Sequence, residues 1–363
     1  MQSSLFPQIV EKYLSLVVGK ITEKYNDKSQ ESALLYRSML QQEYSPDLSW
    51  ASTTLNHSIV AADVVALDSS LPLKKRDVIT TASGKVAKIG VKYHKTESDI
   101  TNLNIMIARG GSEATLAAKV LEDTTKAVKA IHVRNEILFE EALSSGECLV
   151  ANNDGVEGVR VSFGYLDENQ FKALTKAWGD TAATPIDDIE QMFTKANEDG
   201  NSIGSVYLSK DYFNKLRKSE QAKILAATYS GYVITNAKNL PTPTNAVMLA
   251  ALADEFGVEF HLVDGSFKTQ SHDGTNKTVK PWVQANVVAV PSDIVGRFVY
   301  GTLAEETNPV EKVSYAKSDS FILLSKYSTT DPLVETTAGQ AICLPVIDDA
   351  SSIYVLHADE VQS

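Results

Sequence analysis

Cysteine is nearly absent from this chain of 363 residues: Cys148 and Cys343 are the only two, and they lie far apart. Two thiols at that separation supply neither a disulfide framework nor the paired ligands of a zinc site, and they fit a reducing compartment. The histidines His57, His94, His132, His261, His272 and His357 never fall into HxxxH or HxH spacing, so zinc or iron ligation has no support. Long apolar runs are missing too. The longest, Ala246 to Ala253, falls far short of the ~20 residues that cross a bilayer. No basic stretch precedes an apolar one at the N-terminus, where Glu11 and Lys12 interrupt the run that a secretion signal would need.

Catalytic signatures are equally scarce. No Ser or Cys sits in a GxSxG elbow. Arg109-Gly110-Gly111-Ser112 precedes a helical pattern and could turn free N–H groups to an anion, but it lacks GxGxxG spacing and the lysine of a phosphate loop. The Asp187-Asp188 pair reads as the acidic start of a helix rather than as acid–base or metal-binding carboxylates. His261 with Asp264, and His272 with Asp273, read as loop residues. No catalytic, cofactor-binding or metal-binding residue is assigned. A soluble α/β enzyme with an unrecognised site stays as one alternative.

What the chain does have is charge of one sign in one place. Between Ser69 and Lys95 stand Lys74, Lys75, Arg76, Lys85, Lys88, Lys92 and Lys95 against Asp77 alone, a formal +6 in a chain of net charge −12, which leaves −18 for the remainder. Such an island complements the surface of another copy of the same chain. From Lys85 to Lys95, Ala87, Ile89, Val91 and Tyr93 alternate with Lys88, Lys92 and His94, as in a half-exposed strand. Ile59 to Leu67 is a second β-prone run, and Pro72, the Lys-Lys-Arg triplet and Ser83-Gly84 lie between as turns. Nucleic-acid readers interleave aromatics with basic residues, and here Tyr93 stands alone. The pattern predicts a basic hairpin arm.

With 43% apolar residues the chain can bury a substantial core, normally shared among about two or three domains. Leu116, Val120, Ala127, Ile131, Leu138 and Ala142 form one stripe, opposed by Lys119, Glu122, Lys126, Lys129, Glu136 and Glu140. They predict one solitary helix from Glu113 to Leu143, capped by Ser112 and ended by Gly146, about 46 Å long. A hairpin follows over Cys148 to Phe163, turning at Asn152-Asn153-Asp154-Gly155. Thr184 and Pro185 start a helix that Gly200 stops. Then come a strand at Ser205 to Leu208, a helix at Lys210 to Lys218, and a buried helix from Asn245 to Phe256 closed by Gly257. Short strands are expected at Phe260 to Val263, Trp282 to Val290, Arg297 to Tyr300, Ser320 to Lys326, Gln340 to Pro345 and Ile353 to His357. No internal repeat or low-complexity tract is present.

This order of elements, with ECLVANNDGVEGVRVSFG, TPIDDIEQMF, SVYLSKDYFNKL, WVQANVVAVPSDIVGRFVYGTLAEE and YAKSDSFILLSKYSTTDPLVETTAGQAICLPVIDDASSIYVLHA, resembles tailed-bacteriophage major capsid proteins, and among them the lambda capsid protein E-like family. The resemblance runs from about residue 50 to the end and rests on order and spacing. It implies an α+β chain of the Hong Kong 97-type capsid fold: an N-terminal arm over 1–50, an extended β-hairpin loop over 51–100, a peripheral domain over 101–219 with spine helix 113–143, an axial domain over 220–305, and return strands over 306–363. The implied function is mechanical. Hexamers and pentamers close an icosahedral shell around the double-stranded DNA of a tailed phage or prophage, in the virion, after assembly in the host cytoplasm.

The implied partners are copies of the same chain, a separate scaffolding protein and maturation protease, a portal protein, packaged DNA held without sequence-specific binding, and a decoration protein; no membrane is involved. Lys74, Lys75, Arg76, Lys85, Lys88 and Lys92 would be the arm's contacts with a neighbour. Glu122, Asp123, Glu136, Glu140, Glu141, Asp187, Asp188 and Glu190 would be candidate acceptors. Some relatives join Lys and Asn side chains covalently; Lys85 or Lys88 with Asn308 could be placed in that role, but no motif supports it, and noncovalent contact is expected. A nanocompartment shell of the same fold is the other alternative.

Overall fold

The computed structural model describes residues 1–26, 34–54, 80–150, 159–232, 240–270 and 274–362. The predicted strand Ile59 to Leu67, Pro72, the Lys74-Lys75-Arg76 triplet, His57, His272, Asp273 and the turn at 152–155 lie outside these residues.

Along the chain come α1 (Pro7–Asn26), α2 (Leu35–Met39), β1 (Leu40–Tyr44), β2 (Ser49–Thr54), β3 (Thr80–Lys85), β4 (Lys88–Lys95), α3 (Glu97–Ala108), α4 (Glu113–Val120), α5 (Glu122–Ser145), β5 (Glu147–Val150), β6 (Val159–Ser162), β7 (Gln170–Ala173), α6 (Pro185–Glu198), β8 (Ser205–Ser209), α7 (Lys210–Leu216), α8 (Glu220–Tyr229), α9 (Asn245–Phe256), β9 (Glu259–Val263), β10 (Phe267–Gln270), β11 (Asn276–Val279), β12 (Asn286–Val290), β13 (Gly296–Gly301), α10 (Ala304–Thr307), β14 (Ser314–Ser318), β15 (Ile322–Thr330), β16 (Leu333–Ile347) and β17 (Tyr354–Val361). Two compact units divide them: Met1–Trp50, Gly84–Glu136 and Arg297–Val346 make the first, and Ala51–Ser83, Ile137–Gly296 and Ile347–Ser363 the second.

The first unit is built on a six-stranded sheet in the order β1-β13-β16-β15-β14, with β4 also paired to β16. Long β16 takes β15 along one side, Leu323 opposite Gln340, and β4 antiparallel along the other, Lys95 opposite Glu335 and Lys88 opposite Ile342. Helix α5 crosses close to this sheet at Gly339, where an added Cβ would stand 3.1 Å from the Cβ of Ala127. A side chain there would crowd Ala127, so glycine eases the close helix–sheet approach. Helix α1 was not anticipated. Its Val10, Leu14 and Val18, spaced i, i+4, i+8, are buried, and the helix packs on β14 and α4. Residues 7–26 thus form part of this unit's body, where the sequence suggested an arm.

The predicted spine helix is two helices. Ser112 does cap its start, accepting from Thr115 N–H, and Gly146 ends it with φ +74°, but the helix breaks at Leu121 (φ −98°, ψ 5°). Helices α1, α2, α3, α8 and α10 add to those expected.

The second unit carries a five-stranded sheet in the order β7-β17-β12-β8-β9. Every residue of central β12 is buried, its neighbours β8 and β17 run antiparallel to it, and outer β9 and β7 run parallel to β8 and β17. Ile189, Met192, Phe213, Leu252, Val287, Ala289, Tyr354 and Leu356 form its core. Pro185 starts α6 as expected, although the Thr184 side chain makes no cap bond. The Thr244 hydroxyl caps α9 by accepting from Val247 N–H, and Gly257 ends it at φ +71°.

Candidate assembly interface

The basic strand is placed first by its own pattern. Along β4, Ile89, Val91, Tyr93 and Lys95 turn inward and Lys88, Gly90, Lys92 and His94 turn to solvent, the alternation that a half-buried strand imposes. Lys85 is exposed on β3. Among the described residues, Lys85, Lys88 and Lys92 have no ion-pair partner. Lys95, on the inward face, pairs with Asp123 at 2.7 Å. Burial pushes the Asp123 carboxyl up, yet Lys95 and Lys126 outweigh it and hold the carboxyl below the usual carboxylate range.

Charge on α5 has two fates. Glu122 stays exposed and pairs with Lys126 one turn on at 2.6 Å, a bond that keeps its carboxyl acidic. Glu136 is buried: its two oxygens accept Leu35 N–H at 2.8 Å and Tyr36 N–H at 3.1 Å. Desolvation pushes it up to about 7. Glu140 is buried, and its carboxylate lies so close to Gly265 that a side chain there would have to displace it. Half-buried Glu141 accepts Leu149 N–H. On α6, buried Asp188 accepts Leu174 N–H and Trp178 Nε1–H, both at 2.7 Å, and burial raises its pKa. Asp187 accepts from Gln221 Nε2, while Glu190 is exposed and has no ion-pair partner among the described residues. Of the candidate acceptors, Asp123, Glu136, Glu140 and Asp188 are therefore interior groups with structural duties, which corrects their placement on the surface. Glu122 and Glu190 remain exposed.

Sequence reasoning missed the buried ions of the sheet. Lys326 and Glu335, 1% and 0% exposed at their side chains, face each other at 3.7 Å. Lys326 Nζ also donates to Thr337 Oγ1 at 2.9 Å and to the Val120 carbonyl at 3.2 Å. Glu335 accepts the Ser4 hydroxyl and Leu5 N–H, so the N-terminal segment is strapped to the sheet by a buried carboxylate. The signal was a lone charge in each of two otherwise uncharged runs, FILLSKYS and LVETTAGQAI. Among the described residues no group of three His, Cys, Asp or Glu could hold a metal ion, and burial pushes both Cys148 and Cys343 up to about 12, which leaves them as unreactive thiols. No helix described is long and apolar enough to cross a membrane.

Comparison with known proteins supplies the context for these surfaces. No curated protein sequence matches the chain. Among solved structures, it is similar to a chain assigned as the capsid protein of a prophage of Escherichia coli CFT073, with TM-score 0.57 and 15% identity, covering 94% of this chain and 98% of that one. It is also similar to a phage-related protein of Bordetella bronchiseptica RB50, with TM-score 0.51 and 9% identity over 95% and 97% of the two chains. The fold is the Hong Kong 97-type capsid fold. The sequence model of phage major capsid protein E matches residues 20–356; the chain therefore belongs to the phage major capsid protein E family, whose members build the protein shell of the virion.

Proposed function

We propose that copies of this chain close an icosahedral shell through hexamers and pentamers, and that the shell encloses the double-stranded DNA of a tailed phage or prophage. The observation that carries this reading is the family match over residues 20–356. A role as pure building material, without enzymatic activity, agrees with that family. A separate scaffolding protein, a maturation protease, a portal protein and a decoration protein are the partners this reading calls for, with assembly in the host cytoplasm.

The axial role belongs to the second unit. It extends beyond the expected 220–305, because β7, α6 and β8 share one core with β12 and β17. The peripheral role belongs to the first unit, with α4 and most of the length of β16. Lys74, Lys75, Arg76, Lys85, Lys88 and Lys92 meet a neighbouring copy. Closed shells need one surface to meet a different surface on the next copy, and a basic strand on an otherwise acidic subunit suits that. The net charge of −12 also favours a lining on which packaged DNA slides, since few phosphate contacts form and few counterions are released.

Sedimentation of the purified chain, followed by negative-stain microscopy, tests the shell. Rings of five and six subunits or closed particles are expected. A monomer or dimer at every concentration and salt would sink the reading. Shells that hold DNA at low salt and free it as salt rises would reverse the statement about the lining.

A further inference from the structure

The basic strand face and the outer face of α6 carry charge rows of matched pitch. On β4, Lys88 and Lys92 are exposed, have no ion-pair partner among the described residues, and stand four residues apart along one face of a strand, a spacing of about 13 Å. On α6, Glu190 and Glu198 are exposed, have no ion-pair partner among the described residues, and stand eight residues apart on one face of the helix, a spacing of about 12 Å. Between the lysines on the same face lies Gly90, and between the glutamates lies Thr194. Both rows are therefore low in the middle and charged at the ends.

Gly90 is the second observation. Glycine weakens the interior of a strand, so its presence needs a cause. None is found among the described residues: Gly90 has no left-handed φ, and an added Cβ would meet the Gly339 carbonyl at 3.5 Å and Gln340 Cγ at 3.7 Å, ordinary contacts. What a side chain there would obstruct is the solvent side, where another backbone could approach. The helix row, for its part, borders a groove of about 400 Å³ floored by Phe171 and by Leu174, which is 40% exposed. The groove's cation, Lys195, is bound to Asp199 at 2.5 Å and feels Glu198 only through space, so neither glutamate of the row is claimed by an ion pair with it.

We propose that the β4 face of one copy docks on the α6 face of a second copy, Lys88 and Lys92 meeting Glu190 and Glu198 while the helix rides over Gly90. The proposal rests on the shell reading and names one contact within it. It joins two different surfaces, so it can repeat from copy to copy around a ring.

Charge exchange tests it on the full chain, with circular dichroism confirming that each variant folds. Lys88→Glu with Lys92→Glu, and separately Glu190→Lys with Glu198→Lys, should each lower the association measured by sedimentation at least ten-fold. An equimolar mixture of the two proteins should associate again, because each supplies the complement that the other lacks. Gly90→Val should melt no lower than the parent and yet fail to associate. Wild-type association by either pair variant, no recovery on mixing, or normal association by Gly90→Val would each overturn the contact while leaving the shell reading intact. A parent chain that never associates overturns the shell reading itself.

Discussion

At the scale of single residues, the acidic groups separate by what covers them. Glu122 and Glu136 lie on one helix, and as letters in a pattern they are equivalent, yet one faces water and the other accepts two backbone N–H groups from residues 35 and 36. One turn before Glu136, His132 is buried too. Its Nδ1 is hydrogen-bonded to the Tyr36 hydroxyl, and Nε2 faces Asp319, itself paired with Arg37 at 2.7 Å. Burial, with Arg37, holds His132 down at about 3, against an ordinary 6.5. These two groups oppose each other in pH. Glu136 titrates higher in the fold than its ordinary 4.5, so its stabilisation is full below 4.5 and is lost as pH rises through about 7, a loss on the order of 3 kcal/mol. His132 titrates lower in the fold, so its stabilisation is full above 6.5 and drains away as pH falls towards 3. Thermal unfolding should therefore show a maximum at about pH 5 to 6. Glu136→Gln should flatten the alkaline limb and leave the acid limb in place; an unchanged profile would show that Glu136 does not set it. The burial of Glu136 was not legible in its spacing, because the chain that covers it lies a hundred residues upstream.

Local signals carried the elements well where the cause was local. The caps of α4 and α9, the proline start of α6 and the alternation along β4 each depend on a few adjacent residues, and each stands where its pattern places it. The break at Leu121 has a distant cause. In a continuous helix the Val120 carbonyl would accept Thr124 N–H; here that N–H bonds to Leu121 O at 3.0 Å, and Val120 O accepts Lys326 Nζ from β15. A buried ammonium inserted into the hydrogen-bond ladder kinks the helix. The pairing of β4 with β16 was equally hidden, since the partner strand is some 240 residues away. Lys326→Met should straighten the join between α4 and α5, seen as a 120–124 N–H···O bond in a crystal structure. It should also cost about 3 kcal/mol in urea unfolding, because it leaves Glu335 buried without a counter-ion. Combining it with Glu335→Gln should cost less than the sum of the two single changes, and simple additivity would show that the two ions are not coupled.

At the scale of the whole molecule, assembly turns on the heterologous join between copies. A flat hexagonal net of such subunits can close into an icosahedral shell only where rings of five replace rings of six. The charge-exchanged proteins make that requirement visible. In their mixture every productive join links one variant to the other, so around any ring the two must alternate. A ring of six can alternate completely. A ring of five cannot, and one join must bring like charges together across the β4–α6 contact, where juxtaposed like charges cost several kcal/mol. The mixture should therefore yield hexamers, flat sheets or open tubes in negative stain, while the parent chain yields closed particles under the same conditions. Closed particles from the mixture, in numbers equal to the parent's, would mean that the β4–α6 contact does not run around the rings.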